Sequence, residues 1–305
     1  MKKICVIGSI NMDVVIKMDR IPREGENIFC ERVDHSCGGK GENQAIALSK
    51  LGADTLFYGC VGNDAFGDTL LQNMRELGVD TTHVLRKNVS TGVAYILLES
   101  NGDNRIIVNP GANEAITAED IRRDVTPLIE QSDMVLIQLE VSLEAISEIV
   151  AICNRLNKKL IVDAGPVRGC KIDRLMGAYC ISPNETELSA LIGEPLETEE
   201  DIRRGAQKLV TLGIQHVVVK LGAKGCLYVT TGGVRCFDAY RVKAIDTTGA
   251  GDSFMAGFCA GLMEGMSVED AISYATKCGA VAVMRMGAVN SMPSREDIAI
   301  FEAGL

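Results

Sequence analysis

The sequence predicts an α/β fold: a mostly parallel sheet with helices on both faces, accompanied by a second, smaller β-sheet. Three observations predict it. Short apolar runs rich in β-branched residues recur along the 305 residues, and amphipathic helical patterns separate them. Residues 12–36 and 88–110 interrupt that alternation with extended patterns and no helix, as strands of a separate sheet do. Glycine is abundant (31) and proline sparse (7), which fits tight turns between regular elements rather than a flexible linker. The chain is long for one domain, yet single α/β domains reach about 250 residues or more.

Residues 3–8 (KICVIG) read as a buried strand ending in glycine. Val14 and Ile16, then Ile28 and Cys30, alternate within the first interruption. Residues 41–51 read as a helix with Ala45, Leu48 and Leu51 on one face, and 56–62 (LFYGCVG) as one strand. Residues 64–78 read as a helix stopped by Gly78. Residues 92–108 form a hairpin around Asn101–Gly102, and with 12–36 are expected to build a small antiparallel lid. Residues 133–138, 160–163, 179–182 and 216–220 are further core strands, each separated from the next by a helix such as 143–155 or 199–212. A last hairpin turns at 231–233. Ligands of such a sheet bind beyond the carboxyl ends of its strands.

Composition narrows the function. A chain 47% hydrophobic and 24% charged is not intrinsically disordered. Its net charge of −10 disfavours nucleic acid and anionic membranes as partners, so an anionic ligand must be met by local donors. The 11 cysteines include no C-x-x-C pair and sit in apolar runs, as at Cys5, Cys60 and Cys259; they read as core residues in a reducing compartment. Asn11 and Asp13 break the apolar N-terminus, and no run reaches the roughly 18 residues of a membrane span, so a cytoplasmic protein is expected. His35, His83 and His216 lack metal-ligand spacing, and neither G-x-S-x-G nor an early G-x-G-x-x-G occurs.

The most informative segment is AIDTTGAGDSFMAGF, residues 244–258, a glycine-rich turn running into a helix. Gly249, Ala250 and Gly251 leave backbone N–H groups open to an anion, and the helix start adds orphan donors and partial positive charge. Asp252 in the first turn would repel a phosphate, so it fits a base for a hydroxyl that attacks one. Its plainer reading is a helix cap with packing glycines.

In HSCGGKGENQAIAL, Gly38, Gly39 and Gly41 open a helix with Lys40 and Asn43 at its start. Asp34 and Gly41 stand where a Walker loop needs Gly and Ser or Thr, so a polyol site or a simple turn with a solvent lysine fits better. Asn11 and Asp13, at the end of the first strand, suit vicinal hydroxyls or an Asx turn. Asn184 and Glu187 lie one helical turn apart, fit to orient Mg²⁺ through water or to form a capping box. In VVVKLGAKGCLY a turn at Leu221–Gly222 and a strand starting at Gly225 suit a nucleotide or an ordinary hairpin, and Glu140 follows the strand 133–138.

Together, GSINMD, GGKGENQA, STGVA (90–94), PNETE and DTTGAGDSF resemble the ribokinase-like (pfkB) carbohydrate kinase family, in the family's order and over essentially the whole chain. The resemblance implies a three-layer α/β/α core with a β-sheet lid, frequently dimeric through the lids, and ATP-dependent phosphorylation of a ribose 5-hydroxyl. Asn11, Asp13, Gly39, Lys40, Asn43 and Glu140 would hold the sugar, Asp252 would be the base, and the amides of Gly249 to Asp252 the anion hole. Asn184 and Glu187 would serve the phosphates and Mg²⁺, with Lys220, Gly222 and Gly225 lining the nucleotide. Potassium would sit on Asp246, Thr248 and Ser291 and on carbonyls near Ala282, Arg285 and Gly287. Glu42 departs from an alanine common in the family; its carboxylate points away or alters hydroxyl recognition. Kinases of deoxyribose, fructose or adenosine, and a catalytically silent sugar-binding regulator, are the alternatives; Asp252 argues against the last.

Overall fold

The strands of the computed structural model, which describes residues 2–305, are in chain order β1 (Lys3–Ile7), β2 (Asn11–Met18), β3 (Arg32–Gly38), β4 (Asp54–Tyr58), β5 (Cys60–Gly62), β6 (Leu85–Lys87), β7 (Gly92–Glu99), β8 (Asn104–Asn109), β9 (Met134–Gln138), β10 (Lys159–Asp163), β11 (Cys180–Ser182), β12 (His216–Lys220), β13 (Cys226–Thr230) and β14 (Gly233–Phe237). Eight of them form one sheet in the order β14-β13-β12-β11-β10-β9-β1-β4. Its pairs are parallel from β4 to β12 and antiparallel at the β12-β13-β14 edge.

The apolar runs form this sheet because helices cover it on both sides. Alternate residues of one strand serve opposite layers. Ile4 and Val6 of β1 join Ala45, Met255, Phe258 and Ile272 on one face, whereas Cys5 and Ile7 join Ile146, Ile149 and Leu209 on the other. Strands buried on both faces read as continuous hydrophobic stretches. No helix among the described residues is long and apolar enough to cross a membrane.

The second sheet has the order β3-β2-β7-β8. The hairpins β2–β3 and β7–β8 are antiparallel, but the joining pair β2–β7 is parallel, which corrects the all-antiparallel expectation. Both strands leave the core in the same direction, each passing Asn11 or Gly92 before its hairpin turns back.

Two further expectations change. The run 56–62 divides at Gly59: β4 lies in the main sheet, while β5 pairs with β6 in a separate two-stranded sheet. A Cβ at Gly59 would lie 2.9 Å from the Gly8 carbonyl oxygen, so the chain turns where only glycine fits. Between β10 and β11 there is no α-helix, only the 3₁₀ turn Ile172–Leu175. Because β1, β9, β10, β11 and β12 run parallel, their carboxyl ends bring Ser9, Glu140, Asp163, Asn184 and Lys220 to one rim.

Candidate active site

The segment 244–258 folds as its glycines require. Gly249 has φ 76° and caps helix Ala250–Glu264; a Cβ on it would approach Met292 Cε to 2.8 Å and Ala288 Cα to 3.2 Å. The Ala250 N–H donates to the Thr247 carbonyl (3.2 Å), whereas those of Gly251 and Asp252 have no partner among the described residues. Space beside Gly251 is open. The helix thus presents free amides at its positive end.

Asp252 is not the helix cap; Gly249 holds that position without a side-chain bond. The Asp252 carboxylate, 5% exposed, instead reaches across to helix Lys40–Lys50. It accepts hydrogen bonds from Asn43 Nδ2 (2.9 Å) and Gln44 Nε2 (2.9 Å), with Lys40 Nζ at 3.5 Å. The start of that helix packs directly on the chain leaving β1 because two of its residues lack side chains. A Cβ at Gly41 would lie 2.5 Å from the Gly8 carbonyl carbon, and one at Gly39 (φ 94°) 2.8 Å from Asn11 N.

Lys40 is no solvent lysine. Its ammonium donates to Asp163 Oδ2 at 2.9 Å, and the same carboxylate accepts from Gln44 Nε2 (2.8 Å) and from Lys220 Nζ. Burial opposes the charge of Asp163, yet Lys220 and Lys40 outweigh it and hold the carboxyl below its usual range. Burial likewise opposes the charge of Lys40, but Asp163, then Asp252 and Glu140, keep its pKa well above the ordinary lysine value. Lys40 and Lys220, assigned separately to sugar and nucleotide, therefore meet on one anion.

Asn11, Asp13 and Glu140 close the remaining side. Asn11 Oδ1 accepts from Asn113 Nδ2 (2.8 Å), and Asn113 is itself locked by both backbone groups of Ile10. The Asp13 carboxylate packs on Gly38, where a Cβ would lie 2.4 Å from Oδ2. Burial pushes Asp13 up to about 7, with Glu140 and Asp252 adding repulsion. Glu140 accepts from the Lys40 N–H (3.1 Å) and the Ser9 hydroxyl; burial raises its pKa, against the pull of Lys40 and these bonds. Glu42 is wholly buried and both its oxygens are enclosed without a partner, so it presents no surface to the cleft. Burial, then Asp13, pushes its pKa well above the carboxylate range.

Beyond the amides of Gly251 opens a cavity of about 560 Å³, walled by Lys220, Gly222, Gly225, Tyr240, Phe254 and Val283 among others. Gly225 has φ 91°, and a Cβ there would lie 1.9 Å from the Phe237 carbonyl oxygen. Next to Lys220, Asn184 and Glu187 form the capping box: Glu187 N–H donates to Asn184 Oδ1 (2.8 Å) and Asn184 N–H to Glu187 Oε2 (2.7 Å). The other Glu187 oxygen abuts Gly165, whose missing side chain makes room for it. No cluster of three or more His, Cys, Asp or Glu residues among those described encloses a metal directly. A carboxylate with one oxygen free of hydrogen-bond partners fits a cation that keeps its water, as Mg²⁺ does.

Asp246 accepts from the Thr248 N–H (2.9 Å), the Thr248 hydroxyl (2.7 Å) and the Gly287 N–H (2.8 Å). Burial opposes its charge, but these bonds outweigh it and hold the carboxyl below its usual range. Ser291 Oγ lies 3.5 Å from the Thr248 carbonyl, and the Ala282 carbonyl accepts from the Arg285 N–H (3.0 Å). The Arg285 guanidinium turns away to Asp297. One carboxylate among carbonyl and hydroxyl oxygens suits a hard, weakly charged cation.

Gln44, Asp163, Asn113 and Ser9 escaped the sequence reading. Asp163 ends an apolar strand just as Glu140 follows one, a signal that was there to find. Asn113, in a short 3₁₀ turn, carries no such signal.

The model of the pfkB family carbohydrate kinases matches residues 1–295. A ribokinase of Bacillus subtilis is 35% identical over 299 residues, 98% of this chain and 98% of that one. A deoxyribokinase of Salmonella typhi is 34% identical over 296 residues, 96% of each. The crystal structure of a ribokinase from Thermotoga maritima superposes with a TM-score of 0.90 at 35% identity, covering 99% of this chain and 100% of that chain. Arabidopsis thaliana ribokinase complexed with ribose and ATP gives 0.89 at 32% identity, covering 98% and 97%.

Proposed function

The chain belongs to the pfkB family of carbohydrate kinases, and from that premise we propose that it transfers the γ-phosphoryl group of ATP to the 5-hydroxyl of D-ribose, giving ribose 5-phosphate and ADP. One observation carries this reading: a buried carboxylate, Asp252, oriented by Asn43 and Gln44 at a helix start where the amides of Gly251 and Asp252 are free beside an open cavity.

Asp252 accepts the proton of the 5-hydroxyl as that oxygen attacks phosphorus. The transition state of phosphoryl transfer is loose, so positioning and charge stabilisation do most of the work. Charge on the transferring oxygens meets the free amides of Gly251 and Asp252 within the nest from Gly249 to Asp252, each contributing about 3 kcal/mol if it acts like other oxyanion donors; the Ala250 amide is held by the Thr247 carbonyl. Asn11, Asp13, Gly39, Lys40, Asn43 and Glu140 surround the sugar; with its Oδ1 fixed by Asn113, Asn11 offers its Nδ2 as a donor beside the Asp13 acceptor for neighbouring hydroxyls. Lys220, Gly222 and Gly225 line the nucleotide.

Glu187 beside Asn184 would hold Mg²⁺ through its water, and the bound ion would supply positive charge against the phosphates. Asp246, Thr248 and Ser291, with carbonyls near Ala282, Arg285 and Gly287, would hold K⁺ beside the anion hole, where its charge would help order the loop. The smaller sheet covers the sugar and excludes water. Its strand β8 exposes Ile106, Ile107 and Val108, apolar surface that supports a homodimer through the two lids. The identity to a deoxyribokinase makes 2-deoxyribose the second reading.

Asp252→Asn tests the assignment. The variant is expected to fold, to bind ribose by calorimetry within about threefold of the parent, and to lose at least about a hundredfold in kcat. Near-normal turnover would refute the base.

A further inference from the structure

Asp163 has no role in the mechanism above, yet it stands where the two halves of the site meet. Its side chain has no exposed surface, so it touches neither substrate; Lys40 keeps 24% of its side chain exposed and Lys220 15%. Lys220 stands on the wall of the nucleotide cavity, and Lys40 reaches within 3.5 Å of Asp252. Gln44 Nε2 bridges Asp163 Oδ2 (2.8 Å) and Asp252 Oδ1 (2.9 Å). The amide is fixed in that sense because Gln44 Oε1 accepts from Gln138 Nε2 at 2.6 Å.

From this junction we infer that Asp163 is a positioning residue for phosphoryl transfer, holding the ammonium groups of Lys40 and Lys220 together at the crossing point between nucleotide and sugar. Ammonium groups brought close in a partly dry site repel one another and need a shared anion. Lysine is a compact charge on a flexible stem, so it supplies a fixed field only when something orders it. A phosphoryl group in flight spreads negative charge over its equatorial oxygens, and two converging ammonium groups match that distribution. Asp163 orders both before either substrate arrives, while Gln44 ties the same anion to the base.

The arrangement has a pH signature. The charged groups facing Lys40 are Asp163 at the end of β10, Asp252 on its helix and Glu140 after β9, with Lys220 of β12 across Asp163 and Asp13 of β2 behind Glu140 and Asp252. Removing the Asp163 charge leaves burial less opposed, so Lys40 gives up its proton at lower pH and the alkaline limb of kcat moves down.

This inference rests on the kinase reading, and wild-type turnover tests that reading first. Asp163→Asn in the full chain is then compared with wild type in kcat, in KM for both substrates and in the pH profile of kcat, with melting curves to establish folding. The expected result is a loss of at least about tenfold in kcat from folded protein, with the alkaline limb about one pH unit lower or more. Should Asp163→Asn not fold, Asp163→Asn/Lys220→Met, which removes one cation along with the anion, is compared with Lys220→Met and shows the same displacement. A smaller loss, or a loss with an unmoved limb, overturns the inference, the latter being what a purely structural role produces. Inactive wild-type protein would instead overturn the kinase reading.

Discussion

The half of the site proposed for the sugar is walled by side chains that hold one another, whereas the half proposed for the nucleotide is walled by backbone and apolar surface. On one side Asn11, Asn43, Gln44, Lys40 and Asp252 are each fixed by a named partner. On the other, Gly222, Gly225, Gly251, Phe254 and Val283 shape a cavity of about 560 Å³. The halves should therefore discriminate differently. A sugar lacking one hydroxyl leaves a buried acceptor unpaired and is rejected by chemistry. A nucleotide is recognised by fit, so the damage done by a substitution there follows its volume.

Gly225→Ala breaks the comparison hardest. A methyl group meets the Phe237 carbonyl at 1.9 Å, on a residue with φ 91°. Strain and overlap of about 2–4 kcal/mol should raise the KM for ATP by roughly thirtyfold or more. Ribose affinity, measured separately by calorimetry, should stay within about threefold. Equal losses for both substrates would show that the halves are not independent.

Asn113→Ala probes the other side. It deletes the partner that fixes Asn11, worth about 1–2 kcal/mol, so the sugar KM should rise about tenfold while that for ATP stays unchanged in steady-state kinetics. A rise for ATP instead would place Asn113 outside the sugar network.

The smallest effect sharpens the contrast through pH. Burial pushes Asp13 up to about 7, and only its ionised form can accept from neighbouring hydroxyls at both oxygens. As pH falls through that value a proton competes with the sugar, so the ribose Kd should weaken a few-fold between about pH 7.5 and 6.5, approaching tenfold per unit at the limit. A ribose Kd that is flat across that range would remove Asp13 from recognition.

Local features were legible in the sequence. A glycine run entering a helix marked Gly249 and Asp252, because the conformation it needs is local. Two-sided apolar runs marked the main sheet. What escaped depends on topology. Lys40 and Asp163 lie 123 positions apart and meet only because β9 alone separates β10 from β1 in the sheet. Asn11 and Asn113 are 102 apart. The direction of β2 against β7 and the break at Gly59 were hidden for the same reason: periodicity reports which face is buried, not which strand lies alongside.

Substrate discrimination tests the central claim most directly. Initial rates are measured with ribose, 2-deoxyribose, fructose and adenosine at one ATP concentration, and the phosphorylated oxygen is located by ³¹P NMR. The account predicts that ribose has a kcat/KM at least about tenfold above that of 2-deoxyribose, with phosphate on the 5-oxygen. Any of the other three substrates matching or exceeding ribose, or phosphate on a different oxygen, would contradict it.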